Sequence, residues 1–127
     1  MTTTELEYTL NKLRNLTAEN EVVEFKEAKS NYDFSKLGKY FSALSNEANL
    51  KGKLHAWLVC GIENRHHNIV NSNFRPHRKD LDNLKGEIAN KTTNRITFIE
   101  IYELLFPEGR VIMFQIPASP KGFPIAF

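Results

Sequence analysis

A run of seven apolar residues in the middle of the chain limits its possible folds more than any other sequence feature. The run Ala56-Trp57-Leu58-Val59-Cys60-Gly61-Ile62 places apolar side chains on both faces of an extended strand. Strands that are covered on both faces have this continuous pattern, whereas half-exposed strands alternate apolar and polar residues. We therefore predict that this run is a central, fully buried strand.

Amphipathic patterns on either side of this strand predict three helices. Each has apolar residues at helical spacing, and two carry a recognisable start signal. The first helix combines a Thr4–Glu7 capping box with Leu6, Leu10 and Leu13; the second begins at Asp33 or Ser35 and carries Leu37, Phe41, Leu44 and Ala48; the third follows Pro76 and carries Leu81, Leu84 and Ile88.

Further strands are predicted from alternating or β-rich segments. In Val22–Lys26, Val23 and Phe25 face one side and Glu24 and Lys26 face the other. Ile69–Val70 is predicted to return as the partner strand of a hairpin. Two further strands, Arg95–Leu104 and Val111–Ile116, are predicted to form an antiparallel pair joined by a turn at Pro107–Gly109. The predicted fold class is α+β, with a mixed, largely antiparallel sheet and about three helices packed on it.

The length and the chain end bear on domain organisation. The chain has 127 residues, which suits one domain with one core. It ends in the apolar sequence Ile125-Ala126-Phe127 after a Pro/Gly-rich loop. We expect residues 1–127 to be a single domain that forms the N-terminal part of a longer protein.

Composition narrows the function classes. The net charge of +2 is mildly basic, which allows a nucleic-acid partner without requiring one. The single cysteine, Cys60, excludes an internal disulfide and a zinc site made of several thiolates, and we interpret it as a small buried apolar residue. No apolar stretch approaches the roughly 20 residues of a membrane span, and the start lacks a signal peptide. We expect a cytoplasmic protein with no membrane partner.

The clearest electrostatic feature is a segment without acidic residues between Glu63 and Asp80. Its basic and histidine side chains suit contacts to phosphates, and the asparagines among them suit contacts to phosphates or base edges. The alternative interpretation is a solvated loop with scattered charge. The candidate nucleic-acid-binding residues are Arg65, His66, His67, Arg75, Arg78 and Lys79.

A second constellation has the chemistry of a metal-dependent nuclease. Glu24 and Lys26 lie on one face of the same predicted strand, and Glu19 and Glu63 supply two more carboxylates. Carboxylates hold a divalent cation, and a lysine beside them steers or activates the attacking water. The alternative interpretation is an exposed Glu–Lys pair, since this alternation is common on strands. The histidines have no zinc-site spacing, and the chain lacks a P-loop.

The ordered set of segments resembles a known family. The set consists of Glu19-x-x-x-x-Glu24-Phe25-Lys26, the stretch Leu37–Glu47, the strand Ala56–Glu63, Leu84-Lys85-x-x-Ile88, and Ile116-Pro117-Ala118-x-Pro120-x-Gly122-x-Pro124. From about Glu19 to Phe127 it is similar to the Schlafen AlbA-like DNA-binding domain of bacterial transcriptional regulators of the divergent AAA group.

This resemblance implies a mixed fold that binds nucleic acid, in a protein with regulatory modules downstream. In animal Schlafen relatives, residues matching Glu19, Glu24, Lys26 and Glu63 form a nuclease site. The segment Glu47–Lys53 departs from the glycine-rich family pattern. We therefore favour a nucleic-acid-binding module of a transcriptional regulator, without a cofactor and with DNA ahead of RNA as its partner. The alternatives are a Schlafen-type endonuclease using Mg²⁺ or Mn²⁺, and a protein-interaction module, for which the sequence allows a homodimer.

Overall fold

The computed structural model describes residues 1–15, 21–30 and 32–127. These ranges contain three helices, α1 (Thr3–Asn15), α2 (Phe34–Leu50) and α3 (Arg78–Ala89), with a short 3-10 turn at Thr93–Arg95. The strands in the described residues are β1 (Val23–Lys26), β2 (His55–Cys60), β3 (Glu100–Phe106) and β4 (Gly109–Pro117), and they form one open sheet in the order β1-β2-β4-β3. The β1–β2 pair is parallel and the other two pairs are antiparallel. The predicted α+β class with a mixed, mostly antiparallel sheet is confirmed.

The sheet is buried on both faces because β2 and β4 alternate apolar side chains to each side. Ala56, Leu58 and Cys60 face α2 and α3, while Trp57 and Val59 face α1. The predicted apolar stripes of all three helices supply the covering layers, since Leu10, Phe41 and Leu84 and their neighbours at helical spacing are buried. Cys60 is fully buried, and burial raises the pKa of its thiol to about 12, so it is an apolar core residue as predicted.

Helix starts are defined by side-chain oxygens that accept backbone N–H groups. Asp33 caps α2 by accepting from the N–H of Ser35 at 2.7 Å. The capping box of α1 is formed by Thr2 and Glu5, whose side chains accept from each other's backbone N–H at 3.1 and 3.0 Å. The predicted Thr4–Glu7 box is therefore two residues too late in the chain.

The predicted hairpin return after β2 is present only in a minimal form, in which the N–H of Val70 donates to the carbonyl oxygen of Gly61 at 2.8 Å. Ile69 makes only an isolated antiparallel bridge with Ile62, and residues 63–77 form a loop. Gly61 lets the chain leave the sheet here, because its φ of +96° is in the left-handed region. A Cβ at this position would lie 2.4 Å from the carbonyl oxygen of Arg110.

A buried arginine holds this loop against the sheet. Arg110 in β4 is only 7% exposed, and its Nε donates to Glu103 Oε2 at 2.5 Å. The same guanidinium donates to the carbonyl oxygens of Phe74 at 2.6 Å, Arg75 at 2.9 Å and Ser72 at 3.4 Å. Five N–H donors in a rigid plane suit this task, because one side chain can satisfy a carboxylate and several backbone oxygens.

The last two strands of the sheet form the predicted pair, with one shifted boundary. The turn at residues 107 and 108 joins β3 to β4 as predicted, although β3 begins at Glu100 and not at Arg95. Ile125 is buried, and Asn46 accepts from its N–H at 2.8 Å and donates to its C=O at 3.0 Å. This last apolar stretch therefore packs onto α2 without joining the sheet.

We expect Arg110→Ala to lower the free energy of unfolding by about 3 kcal/mol, because it leaves Glu103 and three backbone carbonyls without their charged donor. Glu103 is 24% exposed, which keeps the loss at the low end for a broken buried pair. Arg95→Ala, at an exposed arginine that bonds Asn90, is the matched control and should cost about 0.5 kcal/mol or less. Urea denaturation measures both, and equal losses would contradict the role assigned to Arg110.

Candidate nucleic-acid interface

The sequence-predicted site residues lie in two places on the domain. Glu24 and Lys26 are on β1 at one edge of the sheet, on the face covered by α2. The segment predicted to contact nucleic acid forms the loop after β2 and the first turn of α3. Glu19 lies outside the described residues.

Glu24 and Lys26 are paired, as expected for two residues on the same face of a strand. Lys26 Nζ is 3.4 Å from Glu24 Oε1 and donates to the hydroxyl of Tyr40 at 2.7 Å. Burial disfavours the charge on Lys26, but the Tyr40 hydroxyl and the Glu24 carboxylate outweigh it and raise the pKa of the ammonium group. Lys26 is therefore a positively charged group at neutral pH.

A groove opens beside Lys26, between β1 and α2. Its volume is about 470 Å³, and we refer to it as the Lys26 groove. Tyr32 lies in its wall, and burial raises the pKa of the Tyr32 hydroxyl, which stays neutral. The groove is lined by Lys26, Tyr32, Lys36, Lys39, Tyr40 and Ala43.

The electrostatics of the Lys26 groove are basic. None of the described residues that line it is acidic. Lys36 and Lys39 are exposed on α2, and within the described part of the chain neither has a carboxylate within 4.0 Å. Among the described basic residues, Glu24 is paired with Lys26 alone. The groove therefore combines three ammonium groups with aromatic and apolar walls, which suits a ligand that has both a phosphate and a planar ring.

Sequence reasoning did not select Lys36, Lys39, Tyr32 or Tyr40 as site residues. A signal was present, because residues 36, 39, 40 and 43 share one face of a helix by i,i+3 and i,i+4 spacing. The missing information was the position of Lys26 under that face, which depends on how α2 packs on β1.

Glu63 has a structural task in the loop after β2. Its carboxylate accepts from the backbone N–H groups of Arg65 at 3.0 Å, His66 at 2.6 Å and Asn68 at 3.4 Å. Burial acts against the charge, but these bonds outweigh it and lower the pKa of Glu63. The carboxylate thereby stabilises the turn that carries Arg65 and His66.

The described carboxylates do not form a metal site. In the described ranges, no three residues among His, Cys, Asp and Glu lie close enough to hold a metal ion. The oxygens of Glu24 and Glu63 already serve Lys26 and three backbone N–H groups. With Glu19 outside the described residues, the convergence of Glu19, Glu24 and Glu63 stays a prediction, and the described donors do not fit Mg²⁺ or Mn²⁺.

The basic side chains of the acid-free segment divide into paired and open groups. Arg75 makes two bonds to Glu87, at 2.5 and 2.9 Å, and Arg78 lies 2.9 Å from Asp82 and 4.0 Å from Glu100. A segment without acids in sequence is thus neutralised in space by acids from α3 and β3.

The other members of the segment differ in exposure. Arg65, His66 and Lys79 are exposed, and His66 lies 3.6 Å from Glu63. His67 stacks on Phe25 with ring centroids 4.2 Å apart, and its Nδ1 bonds the carbonyl oxygen of Arg14 at 2.8 Å. His67 therefore ties the loop to the end of α1, and only the exposed residues present open groups to a ligand.

With this geometry known, comparison with other proteins identifies the family. The family model described as Schlafen, AlbA_2 matches residues 19–124, and the chain belongs to this family. A search of curated proteins gives no significant match. No helix in the described part of the chain is both long and apolar enough to span a membrane.

Two solved structures share the fold. The crystal structure of the DIP2311 protein from Corynebacterium diphtheriae has a TM-score of 0.59 at 16% identity, over 96% of this chain and 23% of that one. The second is the solution structure of the N-terminal domain of a putative ATP-dependent DNA helicase RecG-related protein from Nitrosomonas europaea. It has a TM-score of 0.59 at 18% identity, over 92% of this chain and 76% of that one. This chain thus spans less than a quarter of the DIP2311 chain.

We expect Glu87→Gln to lower stability by at most about 1 kcal/mol at neutral pH, because it removes the charge that faces Arg75 at a partly exposed site. The bond to Arg75 lowers the pKa of Glu87, so the stabilisation is complete above the ordinary carboxyl pKa and is lost as pH falls through the lowered value. Denaturation at neutral and strongly acidic pH should give a difference between variant and parent only at neutral pH. A difference that persists in acid would contradict the ion pair.

Proposed function

We propose that this domain is a nucleic-acid-binding module and that the Lys26 groove is its principal contact surface. The observation that carries the proposal is the cluster of Lys26, Lys36 and Lys39 beside two tyrosines, with Glu24 as the only carboxylate paired to it among the described residues. Ammonium groups neutralise phosphates, and tyrosine rings and apolar walls accommodate bases. Membership of the Schlafen, AlbA_2 family supports the same function.

We further propose that the nucleic acid is DNA and that the domain is a module of a transcriptional regulator. The structural neighbour named as a DNA helicase RecG-related protein supports a role with DNA, although its likeness concerns the fold. The small share of the DIP2311 chain that is covered is compatible with a module of a larger protein. If the purified domain binds neither DNA nor RNA while folded, the protein-interaction or homodimer hypothesis replaces this proposal.

The exposed Arg65, His66 and Lys79 supply a second candidate surface on the loop after β2 and the start of α3. Their side chains face solvent, whereas Arg75 and Arg78 are occupied by Glu87, Asp82 and Glu100. We propose that this surface adds weaker, sequence-independent phosphate contacts.

We expect the double substitution Lys36→Gln and Lys39→Gln to weaken nucleic-acid binding. The slope of log affinity against log salt should shrink by about 0.9 for each duplex phosphate that the variant no longer neutralises. Lys91→Gln with Lys121→Gln, at two exposed lysines that do not line the groove, is the control of equal charge. Fluorescence anisotropy across a salt series measures both.

A second pair, Arg65→Gln with Lys79→Gln, compares the two surfaces in the same assay. We expect a smaller change in slope than at Lys36 and Lys39. An equal loss of affinity in the Lys91 and Lys121 control would mean that net charge alone governs binding. A larger loss of affinity in the Arg65 and Lys79 pair would move the binding surface to the loop.

Binding through ammonium groups does not require a divalent cation, so we expect a chelator to leave affinity unchanged. Incubation of structured RNA and single-stranded DNA with the domain and Mn²⁺ tests the nuclease hypothesis in the same samples. Glu24→Gln and, as its control, Glu108→Gln in the exposed β3–β4 turn complete the design. Metal-dependent cleavage that disappears only in Glu24→Gln, with the fold preserved, would establish the nuclease instead.

A further inference from the structure

The Lys26 groove is a pocket of limited size. A volume of about 470 Å³ falls within the range of about 300–1,000 Å³ that is typical of small-ligand sites. A double helix can lie across such a space but cannot enter it, since its major groove alone is about 12 Å wide. One nucleotide unit is therefore the part of a nucleic acid that the pocket matches.

Counted over the described residues, the charge of the pocket exceeds what one internal phosphate requires. Lys26, Lys36 and Lys39 contribute three ammonium groups and Glu24 opposes one of them, which leaves two positive charges unopposed by described residues. An internal phosphodiester carries one negative charge, whereas a phosphate monoester carries about −1.5 to −2 at neutral pH. The charge that the described residues place in this one small pocket is thus matched by a terminal phosphate.

The ammonium groups of the pocket are placed to bind one phosphate while a base or sugar packs on the wall beside them. The Lys26 ammonium donates to Tyr40 and pairs with Glu24, which leaves its third N–H donor without a partner among the described residues. Lys36 and Lys39 are free to reach the rim because both side chains are exposed on the same face of α2. Tyr32, Tyr40 and Ala43 form the less polar wall, against which a base or sugar packs.

We propose that the Lys26 groove recognises a nucleotide that carries a phosphate monoester, held by Lys26, Lys36 and Lys39. This ligand is either the phosphorylated end of a nucleic-acid strand or a free mononucleotide. The strand-end form rests on the function proposed above, whereas the free-nucleotide form does not.

The test compares labelled single strands of one sequence that end in a 5′-phosphate, a 3′-phosphate or hydroxyl groups only. We expect the preferred phosphorylated end to bind about tenfold more tightly than the hydroxyl end, the size of one charge-assisted hydrogen bond. Lys39→Gln should remove this preference, and Lys91→Gln should keep it. In competition, a nucleoside 5′-monophosphate should displace the strand at lower concentration than the nucleoside or inorganic phosphate.

The outcomes separate this proposal from the proposed function. Equal affinity for phosphorylated and hydroxyl ends, with strand binding intact, overturns the pocket proposal and leaves nucleic-acid binding in place. Binding of the mononucleotide that depends on Lys39, without binding of any strand, supports the pocket with a free nucleotide and overturns the proposed function. Absence of both kinds of binding in the folded domain overturns both.

Discussion

The burial of β2 and β4 on both faces is the constraint on which the rest of the structure depends. Residues at alternate positions of β2, such as Trp57 and Leu58, enter separate apolar clusters on opposite sides of the sheet. Each cluster needs its own cover, because apolar surface left in water costs about 25 cal/mol per Å². Helix α1 therefore lies on one face, and α2 and α3 lie on the other.

The sheet remains open at β1 and β3, and the two edges are used differently. At β3, Arg78 and Lys85 donate to the carbonyl oxygens of Ile101 and Ile99, and Glu100 accepts from the N–H of Ile101. Charged side chains thus occupy backbone groups that another strand could otherwise pair with. This arrangement also explains why Arg78 is unavailable as a free phosphate contact.

At the β1 edge, positively charged side chains remain available to a ligand. Its Glu24 and Lys26 project to the face covered by α2, and the exposed lysines of α2 stand beside them. The proposed function and the proposed ligand both depend on this one packing relationship. Arg110 in β4 has a purely structural task, because its bonds to backbone carbonyls fix the loop that carries Arg75.

Most of the fold could be predicted because apolar residues recur with the period of a helix or of a strand. The stripe of Leu37, Phe41 and Leu44 and the alternation of Val23 to Lys26 are local consequences of helix and strand geometry. Ile69 returns antiparallel to Ile62, but as a single bridge and not as a strand, because an apolar pair after a strand is compatible with either. The capping box was displaced because threonines at positions 2 to 4 all suit a helix start.

The sequence by itself determined the elements, the apolar face of each, the burial of Cys60 and the pairing potential of Glu24 with Lys26. Only the tertiary structure decided which charges neutralise each other and which remain open. Arg75 meets Glu87, and Lys26 meets Tyr40, across 12 and 14 positions of sequence. Such contacts depend on how helices and strands pack on one another, and no local periodicity encodes that arrangement.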